Sequence, residues 1–303
     1  MNAVSRSRSP RRAQPTRRSL GVVGSGSGSS VEVGIDDVVR SLRADGFAVL
    51  PGAVPAAMCE RVVDALAEVL GIRLGEPATW SRIGAEFDMV PLWAHPSQWD
   101  IRQLPNLHEA WSAIWARGDL WTDVNSCRVT PPWRPGVAEA LPVHFDVDPR
   151  DASQQWFPGL VALTDAPVGG GGFRCVPSLF RASDRWPTTW PSASRYEPEL
   201  GPTDGVVEVP LERGDVLIWD SHLPHGTVRN QGASPRAVFY LQLHPPGTAV
   251  ELAERLADVD AGRAPPWVRW KPGHDRLDHH PLDLSPLGRR LLGLDPWPEP
   301  ATH

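Results

Sequence analysis

Residues 143–148 contain a histidine and an aspartate two positions apart, His144 and Asp146. In a β-strand, successive side chains point to opposite faces, so these two project from one face and Phe145 projects from the other. Two such groups suit a 2-His-1-carboxylate site, which binds iron(II) through three protein ligands and leaves three positions for other molecules. The simpler alternative is a strand-end histidine that is hydrogen-bonded to its neighbouring aspartate. A third ligand elsewhere in the chain is needed to choose between them.

Residues 213–230 offer that third ligand, since a predicted strand at 215–219 is followed by a loop with two histidines, His222 and His225. Arg236 opens the next predicted strand, eleven positions after His225. From there its guanidinium could enter the same cavity and form a bidentate, charge-assisted pair with a carboxylate. A dicarboxylate such as 2-oxoglutarate could therefore bind a metal at one end and Arg236 at the other. The alternative for Arg236 is an exposed charge at the end of a strand.

The composition predicts one large globular domain in a reducing compartment. The chain has 303 residues, of which 41% are hydrophobic, and its apolar runs are much shorter than the roughly 18 residues of a membrane span. The three cysteines, Cys59, Cys127 and Cys175, are widely spaced and odd in number. This argues against a disulfide framework and against a thiolate zinc site. We therefore expect a cytoplasmic protein without a membrane partner.

The net charge of −6 is unevenly distributed along the chain. Residues 1–30 carry six Arg and no acidic residue, so the remainder holds 24 basic and 36 acidic residues and a net charge of −12. The leader, rich in Ser, Arg and Gly, is predicted to be disordered, and its apolar segment is too short for an export signal. The acidic body argues against a nucleic-acid partner. Because Lys271 is the one lysine, an anion bound inside the protein is expected to be held by arginine.

Apolar periodicity and breaker residues predict a mostly β fold with flanking helices. Helices are predicted over 35–42, 55–70, 107–116, 250–261 and 285–294. Strands are predicted over 47–50, 120–129, 142–147, 159–163, 172–176, 206–210, 215–219 and 237–243. Their spacing, without helices between the later ones, indicates an antiparallel sandwich or barrel. Residues 182–205 are predicted to form a long loop, and a loop of this length is usually a lid, a binding loop or disordered. Most of the 14 Trp are expected to pack in the core rather than form a substrate cage.

Several motifs in this order resemble the phytanoyl-CoA dioxygenase (PhyH) family of Fe(II)/2-oxoglutarate-dependent oxygenases. They are the His-x-Asp pair, a Gly-rich turn ending in Phe-Arg-Cys-Val-Pro at 173–177, Gly-Asp-Val-Leu-Ile-Trp at 214–219, His-Gly-Thr-x-x-Asn at 225–230, and the arginine that follows. The opening Asp-Gly-Phe-Ala-Val-Leu-Pro-Gly at 45–52 is also similar to that family's N-terminal segment. The resemblance covers about residues 36–246. Ser178 departs from the pattern, since the family usually has Gly after the proline of the turn.

The resemblance implies a double-stranded β-helix, that is, a jelly-roll or cupin-like core, over about residues 120–246. A single dioxygenase domain would then occupy residues 31–303, with a C-terminal helical extension at 247–303. It also implies three iron ligands: His144, Asp146 and His225. In this arrangement Arg236 binds the 2-oxoglutarate carboxylate, Thr227 donates a hydrogen bond to the same group, and His222 has a supporting role.

The implied reaction uses Fe(II), 2-oxoglutarate and O₂ to hydroxylate, or otherwise oxidise, an unactivated C–H bond of a small molecule, with release of succinate and CO₂. Because Asp146 fills the third ligand position, no vacancy remains for chloride, and halogenation is disfavoured. The acidic body favours a small uncharged or apolar natural product over a CoA ester. A polar residue from 123–130 is expected beside the cosubstrate, with Asn125, Arg128 and Thr130 as candidates. The alternatives are a cupin-like metal oxygenase without 2-oxoglutarate and a non-catalytic metal-binding protein on the same fold.

Overall fold

The computed structural model describes residues 34–83, 89–135, 140–182, 196–266, 268–270 and 281–298. All of them belong to one compact unit, Glu32–His303. The leader at 1–30 and much of the long loop predicted at 182–205 lie outside the described residues. Within the described ranges, no helix is both long enough and apolar enough to cross a bilayer.

Five of the seven α-helices in the described residues agree closely with the sequence prediction, and two short ones were not predicted. The seven are α1 (Ile35–Asp45), α2 (Ala56–Leu70), α3 (Pro96–Arg102), α4 (Pro105–Trp115), α5 (Pro177–Phe180), α6 (Ala249–Asp260) and α7 (Pro286–Leu292). Helix α3 was not predicted because seven residues are too few for a clear 3.6-residue period. It begins at a capping box in which the His95 side chain accepts from the backbone N–H of Ser97, while the Gln98 side chain accepts from that of His95.

The strands form antiparallel sheets, as predicted. They are β1 (Phe47–Leu50), β2 (Trp121–Thr122), β3 (Cys127–Thr130), β4 (Gly159–Ala162), β5 (Phe173–Cys175), β6 (Val207–Val209), β7 (Val216–Trp219), β8 (His225–Thr227), β9 (Arg236–Leu241) and β10 (Leu243–His244). A five-stranded sheet has the order β1-β7-β4-β9-β3, a three-stranded sheet has the order β6-β5-β8, and β10 pairs with β2.

The prediction of a mostly β protein is wrong, because the helices contain more residues than the strands in the described ranges. The strands are short and are separated by long irregular segments. The strand predicted at 120–129 is divided into β2 and β3, and the strand predicted at 142–147 is reduced to two isolated bridges, at His144 and Phe145. Conversely, β8 is a strand where the sequence predicted a loop.

The five-stranded sheet has a core on each face, and strand β9 illustrates the division. Ala237, Phe239 and Leu241 lie in the larger core, which includes residues of the surrounding helices such as Trp111. Val238 lies in a second core, which includes Phe173 and Cys175 of the three-stranded sheet and Leu160 and Leu217 of the five-stranded one. The two sheets therefore pack face to face. Strand alternation places the Arg236 side chain on the Val238 face, towards this second core.

Most of the eleven tryptophans in the described residues are buried, which agrees with the prediction that most pack in the interior. The six buried ones are Trp80, Trp93, Trp99, Trp111, Trp121 and Trp219. The three cysteines are also buried and free.

Gly46 joins α1 to β1 with backbone geometry that favours glycine. Its φ is +80°, its N–H donates to the Leu42 carbonyl, and its own carbonyl accepts from Asp220 N–H at 2.8 Å. A Cβ at Gly46 would lie 2.9 Å from a Leu223 methyl and 3.0 Å from the Phe180 ring. The turn therefore packs directly against the segment that follows β7.

We expect Gly46→Ala to destabilise the protein by about 2–4 kcal/mol, because it adds steric overlap to the cost of a left-handed residue. Gly52→Ala is the matched control. Gly52 also has a positive φ of 58°, but its Cβ would meet nothing within 4 Å, so the expected loss is about 1 kcal/mol. Urea unfolding of the two variants measures the difference. Equal losses would mean that the packing around Gly46 contributes nothing.

Candidate metal centre

A reciprocal pair of backbone hydrogen bonds brings the two predicted histidine ligands together. His144 N–H donates to the His225 carbonyl at 2.8 Å, and His225 N–H donates to the His144 carbonyl at 2.9 Å. On its other side, β8 pairs with β5, where Cys175 lies opposite His225. A Cβ at Gly226 would lie 2.6 Å from the carbonyl oxygens of both Leu141 and Pro142. Glycine therefore allows the His144 segment to approach β8 closely.

The side chains of His144, Asp146 and His225 converge, and their ligand atoms all lie within 4.8 Å of one another. Asp146 Oδ1 is 3.6 Å from His144 Nε2 and 3.6 Å from His225 Nε2. Two adjacent ligands that bind one ion at about 2.1 Å each lie roughly 3.0 Å apart. A contraction of about half an ångström would therefore give both pairs the spacing of metal ligands.

Hydrogen bonds orient both imidazoles for metal binding. His144 Nδ1 lies 3.0 Å from the Pro142 carbonyl, and His225 Nδ1 lies 2.9 Å from the Leu223 carbonyl. Because a carbonyl can only accept, each Nδ1 carries the proton, and in a neutral ring Nε2 keeps its lone pair. Backbone carbonyls commonly hold metal-binding histidines in this way.

The Asp146 carboxylate is ionised. Burial raises its pKa, but the His225 and His144 imidazoles and a hydrogen bond from Trp219 outweigh this and lower the pKa to about 2. The Trp219 indole N–H donates to Oδ2 at 3.1 Å, whereas Oδ1 faces the two histidines. Burial lowers the pKa of His225 and so favours its neutral form. One anionic oxygen and two neutral nitrogens are the ligand set of a facial triad.

Arg236 is buried in the protein interior with 2% of its surface exposed. Its Nε and both terminal nitrogens have no hydrogen-bond partner among the described residues. Burial lowers its pKa, and an unpaired buried guanidinium is costly. The alternative of an exposed strand-end charge is therefore wrong. A carboxylate with two oxygens would satisfy the planar donor set, so Arg236 fits the distal group of a bound dicarboxylate.

Thr227 lies on β8, two residues after His225, and Thr227 and Leu141 are joined by two hydrogen bonds. The Thr227 hydroxyl accepts from Leu141 N–H at 2.9 Å, and Thr227 N–H donates to the Leu141 carbonyl at 3.1 Å. The hydroxyl hydrogen can still be donated to another group. Its predicted bond to 2-oxoglutarate stays a prediction.

The polar candidates at 123–130 differ in their placement. Asn125 is engaged locally, since its side chain accepts from Ser126 N–H and its carbonyl accepts from Arg102. In the register of β3 with β9, Arg128 lies opposite Val238 and Thr130 lies opposite Arg236. The pleat directs both side chains towards the face that carries Arg236. Arg128 and Thr130 therefore share a sheet face with Arg236, and which of the three residues would contact a cosubstrate stays a prediction.

His222 lies outside the triad and supports the loop after β7. Its Nδ1 is 3.0 Å from Asp220 Oδ1, its Nε2 is 3.3 Å from the Asp151 carbonyl, and Gln155 donates to the other Asp220 oxygen at 2.7 Å. Both ring nitrogens thus face acceptors, an arrangement that suits the imidazolium form. The bond to Asp220 raises the pKa of His222.

The sequence analysis missed Trp219 as a partner of Asp146. The signal was the alternation of β7, which places Leu217 and Trp219 in the same inner core and directs Val216 and Ile218 to the outer one. A polar N–H on an inward-facing aromatic residue needs an acceptor. The identity of that acceptor was not readable, because Asp146 lies on a segment without regular strand pairing.

Known proteins resemble this chain in sequence pattern and in fold. Residues 42–238 match the family model of phytanoyl-CoA dioxygenase (PhyH). None of the curated proteins is detectably similar in sequence. A putative oxidoreductase from Salmonella typhimurium LT2 superimposes with a TM-score of 0.59 at 16% identity, over 84% of this chain and 82% of that one.

Two further solved structures have the same fold. The epimerase SnoN, in complex with Fe3+, alpha ketoglutarate and nogalamycin RO, gives a TM-score of 0.52 at 14% identity, over 82% of this chain and 96% of that one. The carbocyclase SnoK from nogalamycin biosynthesis gives a TM-score of 0.50 at 19% identity, over 80% and 93%.

Protonated His222 is expected to stabilise the fold in a pH-dependent way. A folded-state pKa above the reference value of 6.5 makes its contribution complete below 6.5, and the contribution is lost as the pH rises through the folded-state pKa. The unfolding free energies of wild type and His222→Gln should therefore differ more at about pH 6 than at about pH 9. Urea unfolding measures this. Asp220→Asn should abolish the pH dependence, and a difference that is constant with pH would contradict the prediction.

Proposed function

The chain belongs to the phytanoyl-CoA dioxygenase family, and on that premise we propose that it is an Fe(II)/2-oxoglutarate-dependent oxygenase acting on an unactivated C–H bond of a small molecule. The observation that carries the proposal is the convergence of the ionised Asp146 carboxylate with the Nε2 atoms of His144 and His225. Arg236 is buried and its guanidinium has no hydrogen-bond partner in the part of the chain that the structure describes. It supplies the second requirement, a site for a dicarboxylate cosubstrate.

Each group has a defined task in this proposal. His144, Asp146 and His225 hold the iron, and Arg236 binds the distal carboxylate of 2-oxoglutarate, so that its keto acid end is directed to the metal. Thr227 donates its remaining hydroxyl hydrogen to the same carboxylate. When bound, the iron supplies O₂ activation coupled to the conversion of 2-oxoglutarate to succinate and CO₂.

We propose that the two facing sheets form a double-stranded β-helix and that residues 31–303 make up one catalytic domain. The core shared by the sheets is lined by buried apolar residues such as Leu160, Leu217 and Val238. Such an interior excludes water, which strengthens the pairing of Arg236 with a carboxylate and limits side reactions. In this proposal the fold positions the reacting groups and excludes water, and the cofactor provides the oxidation.

Hydroxylation is the simplest outcome for this site, and other oxidations use the same ligands. The epimerase SnoN and the carbocyclase SnoK have the fold with different reactions. Asp146 occupies the position that a halide would need, which argues against halogenation. The acidic body, together with the presence of nogalamycin RO in the SnoN complex, supports a natural product rather than a CoA ester as the substrate.

We expect Asp146→Ala and His225→Ala to abolish the 2-oxoglutarate-dependent release of succinate, because each removes a metal ligand from the set of three. The measurement is succinate formed by purified protein with Fe(II) and O₂. His108→Ala is the control, since His108 contacts the Gly118 carbonyl and stacks on Trp297 and should retain wild-type turnover. Full turnover in either ligand variant would exclude the triad as the iron site.

Arg236→Gln should weaken 2-oxoglutarate binding about 30- to 150-fold, which corresponds to the loss of one enclosed charge-assisted pair worth about 2–3 kcal/mol. Calorimetry of anaerobic protein loaded with Fe(II) measures the affinity. The exposed Arg40, which pairs with Asp37 on α1, provides the control variant Arg40→Gln. An unchanged affinity in Arg236→Gln would point to another anchor for the cosubstrate, whereas wild-type protein that binds no 2-oxoglutarate would favour a metal oxygenase that does not use it. Iron binding without succinate would favour a non-catalytic protein.

A further inference from the structure

Trp219 contacts the one carboxylate oxygen of Asp146 that does not face the histidines. The indole N–H lies 3.1 Å from Oδ2, while Oδ1 lies 3.6 Å from the Nε2 atoms of both His144 and His225. The two oxygens of Asp146 are therefore distinguished by their surroundings. One faces nitrogens that carry lone pairs, and the other accepts a hydrogen bond from a donor that cannot itself bind a metal.

The indole is held more firmly than the carboxylate that it contacts. Trp219 is 5% exposed, pairs with Phe47 of β1 in the five-stranded sheet, and donates its backbone N–H to the Pro158 carbonyl at 2.9 Å. Its ring lies 5.2 Å from those of both Phe173 and His225. The direction of the indole N–H is thus fixed by the sheet and by packing.

Asp146 has fewer constraints of its own. Its side chain is 33% exposed, and it follows two residues that are joined to the rest of the protein by isolated bridges rather than by a ladder. A carboxylate can bind a metal through one oxygen or through both. If Asp146 rotated to bind through both, it would occupy one of the three positions that the cosubstrate and O₂ require.

We infer that Trp219 is a positioning residue that restricts Asp146 to metal binding through Oδ1. The inference rests on the proposed function, because it concerns the geometry of the proposed iron ligand. The hydrogen bond from the indole to Oδ2 keeps that oxygen from binding the metal, so one coordination position stays open. It also orients the carboxylate before the metal binds, which raises the affinity.

The test is Trp219→Phe, which retains an aromatic ring against Phe173 and His225 but has no N–H. Cobalt(II) is the probe, because its visible spectrum reports both binding and coordination number in the absence of turnover. We expect Trp219→Phe to bind cobalt about 10- to 100-fold more weakly than wild type and to give a spectrum of altered coordination. Adding Trp219→Phe to Asp146→Ala should cause no further loss of affinity.

Trp80→Phe is the matched control, since Trp80 is 7% exposed and donates its indole N–H to the Arg73 carbonyl, away from the triad. It should bind cobalt as wild type does. A second variant, Trp219→Tyr, also lacks the indole N–H, because the hydroxyl of tyrosine lies at the tip of the ring. It replaces Trp219→Phe in the cobalt measurement if that variant does not fold. Circular dichroism of the metal-free proteins establishes folding.

One outcome would overturn the inference. It is a folded Trp219 variant that binds cobalt with wild-type affinity and an unchanged spectrum, while Asp146→Ala no longer binds cobalt. Trp219 would then serve packing alone, and the proposed function would stand. If His225→Ala and Asp146→Ala both bound cobalt as wild type does, the triad itself would be refuted, and with it the role of Trp219.

Discussion

Two backbone hydrogen bonds join His144 to His225, and they connect segments that no regular ladder holds together. The His144 segment has isolated bridges, and β8 is three residues long. Each is therefore a weak element by itself, and their mutual contact sets the separation of the two imidazoles. Gly226 permits this contact, because any side chain there would overlap the carbonyls of Leu141 and Pro142. The positions of Asp146 and of the Nδ1 acceptors follow from it.

The candidate centre and Arg236 carry polar groups of opposite kind. The buried guanidinium of Arg236 is costly to place in an apolar core, whereas the ionised Asp146 is partly exposed and lies beside imidazoles with free Nε2 atoms. Among the described residues they leave a cluster of electron-pair donors without a metal and a cation without a hydrogen-bond partner. A metal and a dicarboxylate would satisfy both at once.

Local patterns predicted most of the elements, and non-local contacts account for what they missed. Helix α2 and strand β1 followed from periodicity and breakers, and the choice of His225 over His222 followed from a motif. The short β8 looked like a loop, since its hydrogen bonds come from distant residues of β5 and the His144 segment. The contact of Trp219 with Asp146 was hidden for the same reason. Sequence alternation specifies which face a side chain occupies, but it does not specify the partner across the cavity.

Cys175 lies directly opposite His225 in the β5–β8 register. The protonation state of its thiol therefore affects how well such a centre would resist oxidation. Burial raises the pKa of its thiol, so the sulfur of this residue stays in the protonated form. A thiolate at this place would compete for the metal and would be the first group lost to oxidation in any misdirected reaction with O₂. Protonation makes it a small apolar side chain instead. The sheet that positions His225 therefore also holds this sulfur in its less reactive, protonated form.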